Sequence, residues 1–112
     1  MNELNAKVIV VGAGPVGLVA ALGLAQNGIK VLLLEKNSSE VPPQWRGSTI
    51  HPPTLEIFED LGIAQEIIAG AIKVEVLQYR DLEIDEVINF EYSCLNGLSK
   101  FPFRLHLNST RF

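Results

Sequence analysis

Cysteine is almost absent from this 112-residue chain: Cys94 stands alone, so no disulfide can form within it. Its neighbours Ser93, Leu95 and Asn96 offer no metal-ligand spacing and nothing that would activate a thiol. A reducing cytoplasm is the expected compartment. Positive charge is also scarce. Nine Lys and Arg stand against 13 Asp and Glu, a net charge of −4, so the electrostatic footprint that recruits nucleic acid is missing. Internal repeats and low-complexity tracts are lacking too. The composition is 47% hydrophobic and 20% charged, ordinary for a globular protein and too apolar for a disordered one. At this length, one domain is the upper bound.

A long apolar run does exist, from Val8 to Ala25, but it lacks the features of a membrane span or a signal peptide. Gly12, Gly14, Pro15, Gly17 and Gly23 interrupt it, and Pro15 near its middle would break a continuous helix. No basic region precedes it, because Glu3 offsets Lys7. No membrane span is expected.

Lys7 to Val11 instead reads as a short β-branched strand, of the kind buried on both faces of a parallel sheet. Pro15 suits the first position of a helix, where its missing N–H would be unpaired anyway. That helix should run to about Asn27, apolar nearly all round, with Gly28 at the left-handed position that closes it. Lys30 to Leu34 reads as a second buried strand. The result is a strand, helix, strand unit, half of a dinucleotide fold.

From Asn37 to Pro53 the chain turns polar, and Pro42, Pro43, Pro52 and Pro53 are expected to block regular structure, leaving a long loop. A helix over Thr54–Leu61 should end at Gly62, followed by a short segment to Ala69. Alternation from Ile72 to Tyr79 predicts a strand, and Ile84 to Phe90 its antiparallel partner after a turn near Asp81. Phe103, Leu105 and Leu107 alternate with Arg104 and His106 in one more strand. The expected fold class is therefore α/β: a partial Rossmann-like βαβ unit followed by helices and antiparallel strands. Residues 1–70 would form the dinucleotide unit with its loop and helices, and 71–112 the start of an antiparallel sheet. Exposed sheet edges leave room for self-association.

Chemistry is concentrated at Gly12-Ala13-Gly14-Pro15-Val16-Gly17, a G-x-G-x-x-G set directly between a strand and a helix. The first glycine permits the tight turn, the second lets backbone approach a pyrophosphate, and the third lets helix and strand pack closely. Unpaired N–H groups and the positive end of the helix dipole then favour the anion. Glu35, at the end of the second strand, can accept hydrogen bonds from ribose hydroxyls, which implies a free 2′-hydroxyl and so FAD or NAD over NADP. Other polar residues read more plainly. His51 suits a helix entry, His106 a solvated strand face, and Glu83, Asp85 and Glu86 a solvated hairpin. Trp45 suits loop anchoring as well as ligand stacking.

Two stretches carry a resemblance. Gly12 to Leu18 with Leu32-Leu33-Leu34-Glu35-Lys36, then Arg46-Gly47-Ser48-Thr49-Ile50-His51-Pro52-Pro53-Thr54-Leu55-Glu56 with Leu61-Gly62-Ile63, resemble single-component flavoprotein hydroxylases of the para-hydroxybenzoate hydroxylase type. The resemblance implies FAD as cofactor and NAD(P)H as reductant in the complete enzyme. It also implies a small aromatic substrate that is hydroxylated, and it assigns cofactor contacts to Gly12, Gly14, Pro15, Val16, Gly17, Glu35, Lys36, Arg46 and Gly47. An arginine after the second strand lies against FAD in that family, and Arg46 matches it, with a guanidinium suited to phosphate oxygens. Phe101 to Asn108 looks like the strand that precedes a family glutamine, but Ser109 stands in its place. The family's later Gly-Asp segment, which holds the ribityl chain, would lie beyond residue 112, so a truncated domain without turnover of its own is expected. No catalytic residue is assigned. A non-catalytic nucleotide-binding module and half of an NAD-linked dehydrogenase are the alternatives.

Overall fold

The computed structural model describes residues 5–38 and 47–107. They fall into two compact units, the first within 1–44 and the second within 45–111.

In the first unit, β1 (Val8–Val11) and β2 (Val31–Leu34) pair in parallel, with Val8 opposite Val31 and Val11 opposite Leu34. The pairing is extended at both ends, by the Lys7 N–H donating to the Lys30 carbonyl (2.9 Å) and the Gly12 N–H donating to the Leu34 carbonyl (2.7 Å). Between the strands runs α1 (Pro15–Gln26), with Pro15 in its first turn as the sequence predicts. Its far end is closed by a Schellman motif. The Ile29 N–H reaches back to the Leu24 carbonyl (3.1 Å) and the Gly28 N–H to that of Ala25 (2.9 Å), which requires the positive φ of 73° that Gly28 adopts.

Expectation and structure part over burial. β1 and β2 were expected to be buried on both faces, yet no described residue of the first unit is buried, and Val11 and Val16 are 82% and 84% exposed. Two strands and one helix form too thin a layer: a parallel sheet is buried only where helices cover both its faces.

The second unit has the core. β3 (Thr49–Ile50), β7 (Arg104–His106) and β4 (Ile72–Val74) make an antiparallel sheet in that order, with α2 (Pro52–Asp60) and α3 (Ala64–Ala69) between β3 and β4 in the chain. Leu105 on the central strand and Leu55 on α2 are fully buried, among Ile50, Phe58, Phe101 and Phe103. Pro52 and Pro53 do not block structure here. They form the first turn of α2, where a missing N–H removes no intrahelical bond. β3 was read as loop; it is a strand because Ile50 pairs with Leu105 and Thr49 with His106. A second Schellman motif closes α2 at Gly62 (φ 76°), with Ile63 N–H on the Phe58 carbonyl (2.9 Å).

The alternation from Ile72 to Tyr79 is divided between two sheets. β4 joins β7, whereas β5 (Val76–Asp81) pairs with β6 (Glu86–Glu91) in a hairpin whose turn follows Asp81. The break falls at Glu75, whose carbonyl accepts the Tyr92 N–H (2.9 Å). In this arrangement α2 and α3 belong with the later strands, whereas sequence order placed them with the βαβ unit.

Gly17 is the tightest of the glycines at positions 12, 14, 17 and 28. A Cβ there would overlap the Gly12 carbonyl oxygen and lie 3.4 Å from the Val10 side chain, whereas a Cβ on Gly14 would meet nothing within 4 Å. Gly17→Ala is therefore expected to destabilise the chain by about 1–3 kcal/mol, the cost of overpacking, and Gly14→Ala by under about 1 kcal/mol. Urea unfolding followed by circular dichroism checks this; equal midpoints for the two variants would contradict it.

Candidate functional site

The polypeptide leaves β1 at Val11 and must reverse within three residues to begin α1 over the end of the strand. Gly12 makes that possible with φ of 102°, a left-handed conformation that side chains disfavour. Gly14 follows in extended conformation (φ −71°, ψ 176°) as the residue preceding the helix, and it offers no side chain to cap the first turn. That turn also carries no acidic residue. Pro15 has no N–H, and the N–H groups of Val16 and Gly17 lie where a helix supplies no acceptor. Two backbone donors at the positive end of the helix dipole are thus open to an anion. The Gly14 side of the turn has the free space for one to approach.

Glu35 lies at the end of β2, where the parallel register brings it beside this turn. Both of its oxygens are engaged. The Ala13 N–H donates to Oε2 (2.7 Å) and the Asn37 N–H to Oε1 (2.8 Å). These donors hold its carboxyl below the ordinary carboxylate range, the Asn37 N–H contributing most and the Ala13 N–H next; desolvation opposes them, and the Lys36 N–H and charge add smaller pushes downward. The sequence indicated a carboxylate for ribose hydroxyls. The structure adds a second engagement through the backbone of Ala13 and Asn37, two residues that side-chain chemistry gave no reason to single out.

Of the residues expected to contact a cofactor, Gly12, Gly14, Pro15, Val16, Gly17, Glu35 and Lys36 all lie in the first unit, and Glu35 is bonded directly to the glycine turn. Gly47 belongs to the second unit, just before β3, with open space where a Cβ would project. Arg46 and Trp45 lie outside the described residues, as does Ser109. His51 precedes α2 as a helix-entry residue and makes no side-chain cap. His106 is exposed on β7, its Nδ1 3.4 Å from the Ser48 hydroxyl. Cys94 is exposed and unpaired. Among the described residues, no group of three or more His, Cys, Asp or Glu could hold a metal, and no helix is long and apolar enough to cross a membrane.

Comparison with known proteins agrees with this geometry. Residues 5–93 match the family model described as FAD binding domain. The chain is 36% identical over 111 residues to 6-hydroxy-3-succinoylpyridine 3-monooxygenase HspB of Pseudomonas putida, covering 97% of this chain and 28% of that protein. It is 35% identical over 100 residues to para-nitrophenol 4-monooxygenase of a Pseudomonas species, covering 89% of this chain and 25% of the other. The crystal structure of p-nitrophenol 4-monooxygenase PnpA from Pseudomonas putida superimposes with a TM-score of 0.80 at 32% identity, over 91% of this chain and 26% of that one. The chain thus spans about a quarter of the length of these relatives.

The lowered Glu35 pKa fixes the sign of a pH effect. A carboxylate depressed in the folded state contributes stability that is fully present above the ordinary carboxylate range and is lost as pH falls through the lowered value. The amide resonances of Ala13 and Asn37 should accordingly shift together on acidification, with a midpoint below that of the exposed glutamates. A shift that tracks the exposed glutamates would show that these bonds are not formed.

Proposed function

Because the chain belongs to the FAD binding domain family, we propose that its first unit holds the adenosine diphosphate end of FAD. The pyrophosphate rests on the Val16 and Gly17 N–H groups, with Gly14 admitting it closely and Gly12 shaping the turn. Glu35 accepts from the ribose hydroxyls with the lone pairs its backbone bonds leave free, since an ionised carboxylate has about four acceptor sites. Lys36 adds positive charge beside the site. The family resemblance adds Arg46 and Gly47 as further cofactor contacts, a guanidinium fork being suited to phosphate oxygens. What carries the reading is one short turn that joins open helix N–H groups to a carboxylate at the neighbouring strand's end.

In the wider reading, this cradle serves an NAD(P)H-dependent monooxygenase of the cytoplasm that hydroxylates a small aromatic molecule. When bound, FAD supplies the redox and oxygen chemistry. Residues of this chain bind and orient it, and none is assigned a catalytic role. By itself the chain, about a quarter of the length of its relatives, is expected to be inactive, and to self-associate because Ile9, Val11 and Leu34 are exposed on a two-stranded sheet with open edges and Val16 is exposed on α1.

The test is titration of the purified chain with FAD and with NAD, followed by flavin fluorescence and calorimetry. FAD should bind, and NAD, which carries the same adenosine diphosphate half, should compete more weakly; tighter binding of NAD than of FAD would replace a flavin site with a nicotinamide one. Arg46→Lys should weaken FAD binding, since a point charge cannot reproduce the guanidinium fork, and undiminished affinity would leave Arg46 a surface charge. With FAD in excess, NAD(P)H and a panel of phenols, the chain should form no hydroxylated product and should sediment as more than a monomer. A soluble monomer that hydroxylates any of them would overturn that part of the proposal.

A further inference from the structure

Glu35 is surface-exposed, and an exposed glutamate ordinarily keeps its rotamer freedom. Here it does not. Its two oxygens each take a short bond from a different backbone segment, Ala13 in the glycine turn and Asn37 just beyond β2.

The Ala13 bond acts on the turn between β1 and α1. β1 ends at Val11, and the regular pairing is continued only by the Gly12 N–H on the Leu34 carbonyl. Helical bonding begins at Leu18, whose N–H donates to the Gly14 carbonyl (2.9 Å). Between those anchors, Ala13 is flanked by two glycines around which no protein atom lies within 4 Å of a would-be Cβ. Glycine loses more backbone entropy on ordering than any other residue, so this segment needs an external tie to keep one shape. Among the described residues, the tie at Ala13 is the Glu35 carboxylate.

We propose that Glu35 is a positioning residue as well as a ligand contact: it clasps the glycine turn from the end of β2 and so sets the anion cradle before any dinucleotide arrives. The clasp holds the turn that leads into the open Val16 and Gly17 N–H groups. It leaves acceptor capacity on both oxygens, so ribose hydroxyls join the carboxylate without displacing Ala13 or Asn37. The ordering of the turn is then complete before encounter, which is how preorganisation strengthens binding.

The kinetic part of this inference rests on the FAD reading, and it separates from a role in ribose contact alone through the association rate. Loss of a ribose contact speeds dissociation and leaves association unchanged. Removing a negative charge beside an anionic ligand speeds association. Loss of the clasp slows association, against the electrostatic direction. Stopped-flow measurement of FAD binding to the full chain and to Glu35→Gln and Glu35→Ala should therefore show association several-fold slower in both variants. Glu35→Asp, too short to span both donors, should fall between them and the parent. Unchanged or faster association in the Gln and Ala variants would overturn the proposal.

A second measurement needs no cofactor. In the ligand-free protein, hydrogen exchange at the Ala13 amide should be several-fold faster in Glu35→Gln than in the parent, with amides of β1 and β2 unaffected. Equal exchange at Ala13 would overturn the clasp whatever the protein binds. Protection at Ala13 in a protein that takes up no FAD would retain the clasp and refute the FAD reading.

Discussion

The close approach of α1 to the end of β1 is the constraint on which the first unit depends. Residue 17 sits against the Gly12 carbonyl, with no room for a side chain between them. That contact brings the first turn of the helix directly over the strand end, so its unpaired N–H groups emerge beside the carboxyl end of β2. The parallel register of Val11 with Leu34 then places Glu35 within bonding distance of Ala13. Helix dipole, open donors and carboxylate converge because one hydrogen atom stands at position 17 where any other residue carries a carbon.

Stability and chemistry are divided between the two units. The glycine turn is in the unit none of whose described residues is buried, whereas the buried side chains gather around Leu55 and Leu105 in the other. A cradle held by a few backbone bonds and one exposed carboxylate depends on local geometry more than on burial. Its turn is accordingly held by bonds that acid can release, and the second unit's sheet by apolar packing that acid does not reach.

How far the sequence revealed this arrangement depended on the range of the forces involved. The glycine turn, Pro15 at the head of α1 and the closures at Gly28 and Gly62 were all legible, because each is fixed by the conformational limits of one or two residues. β3 was not, since Thr49 and Ile50 become a strand only by pairing with residues at the far end of the chain. Nor does the alternation through Ile72, Val74 and Val76 reveal that it serves two different partners on either side of Glu75. Pro52 and Pro53 fit a loop or a helix's first turn equally well by local rules. Apolar strands announce what should be covered, but not what covers them, and Val11 stays exposed where two strands and one helix supply no covering layer. At the glycine turn, Glu35 was legible as a carboxylate at the end of β2. Its bonds to Ala13 and Asn37 were not, because backbone donors leave no mark in the sequence.

The account's central claim is that the glycine turn and Glu35 together recognise the adenosine diphosphate half of the cofactor. Calorimetric titration of the chain with ADP and, separately, with FMN tests it most directly, because ADP carries the adenosine and pyrophosphate of FAD and FMN its flavin, ribityl chain and one phosphate. The account predicts that ADP binds and competes with FAD, and that FMN does neither at comparable concentration. Binding of FMN with no uptake of ADP would contradict it.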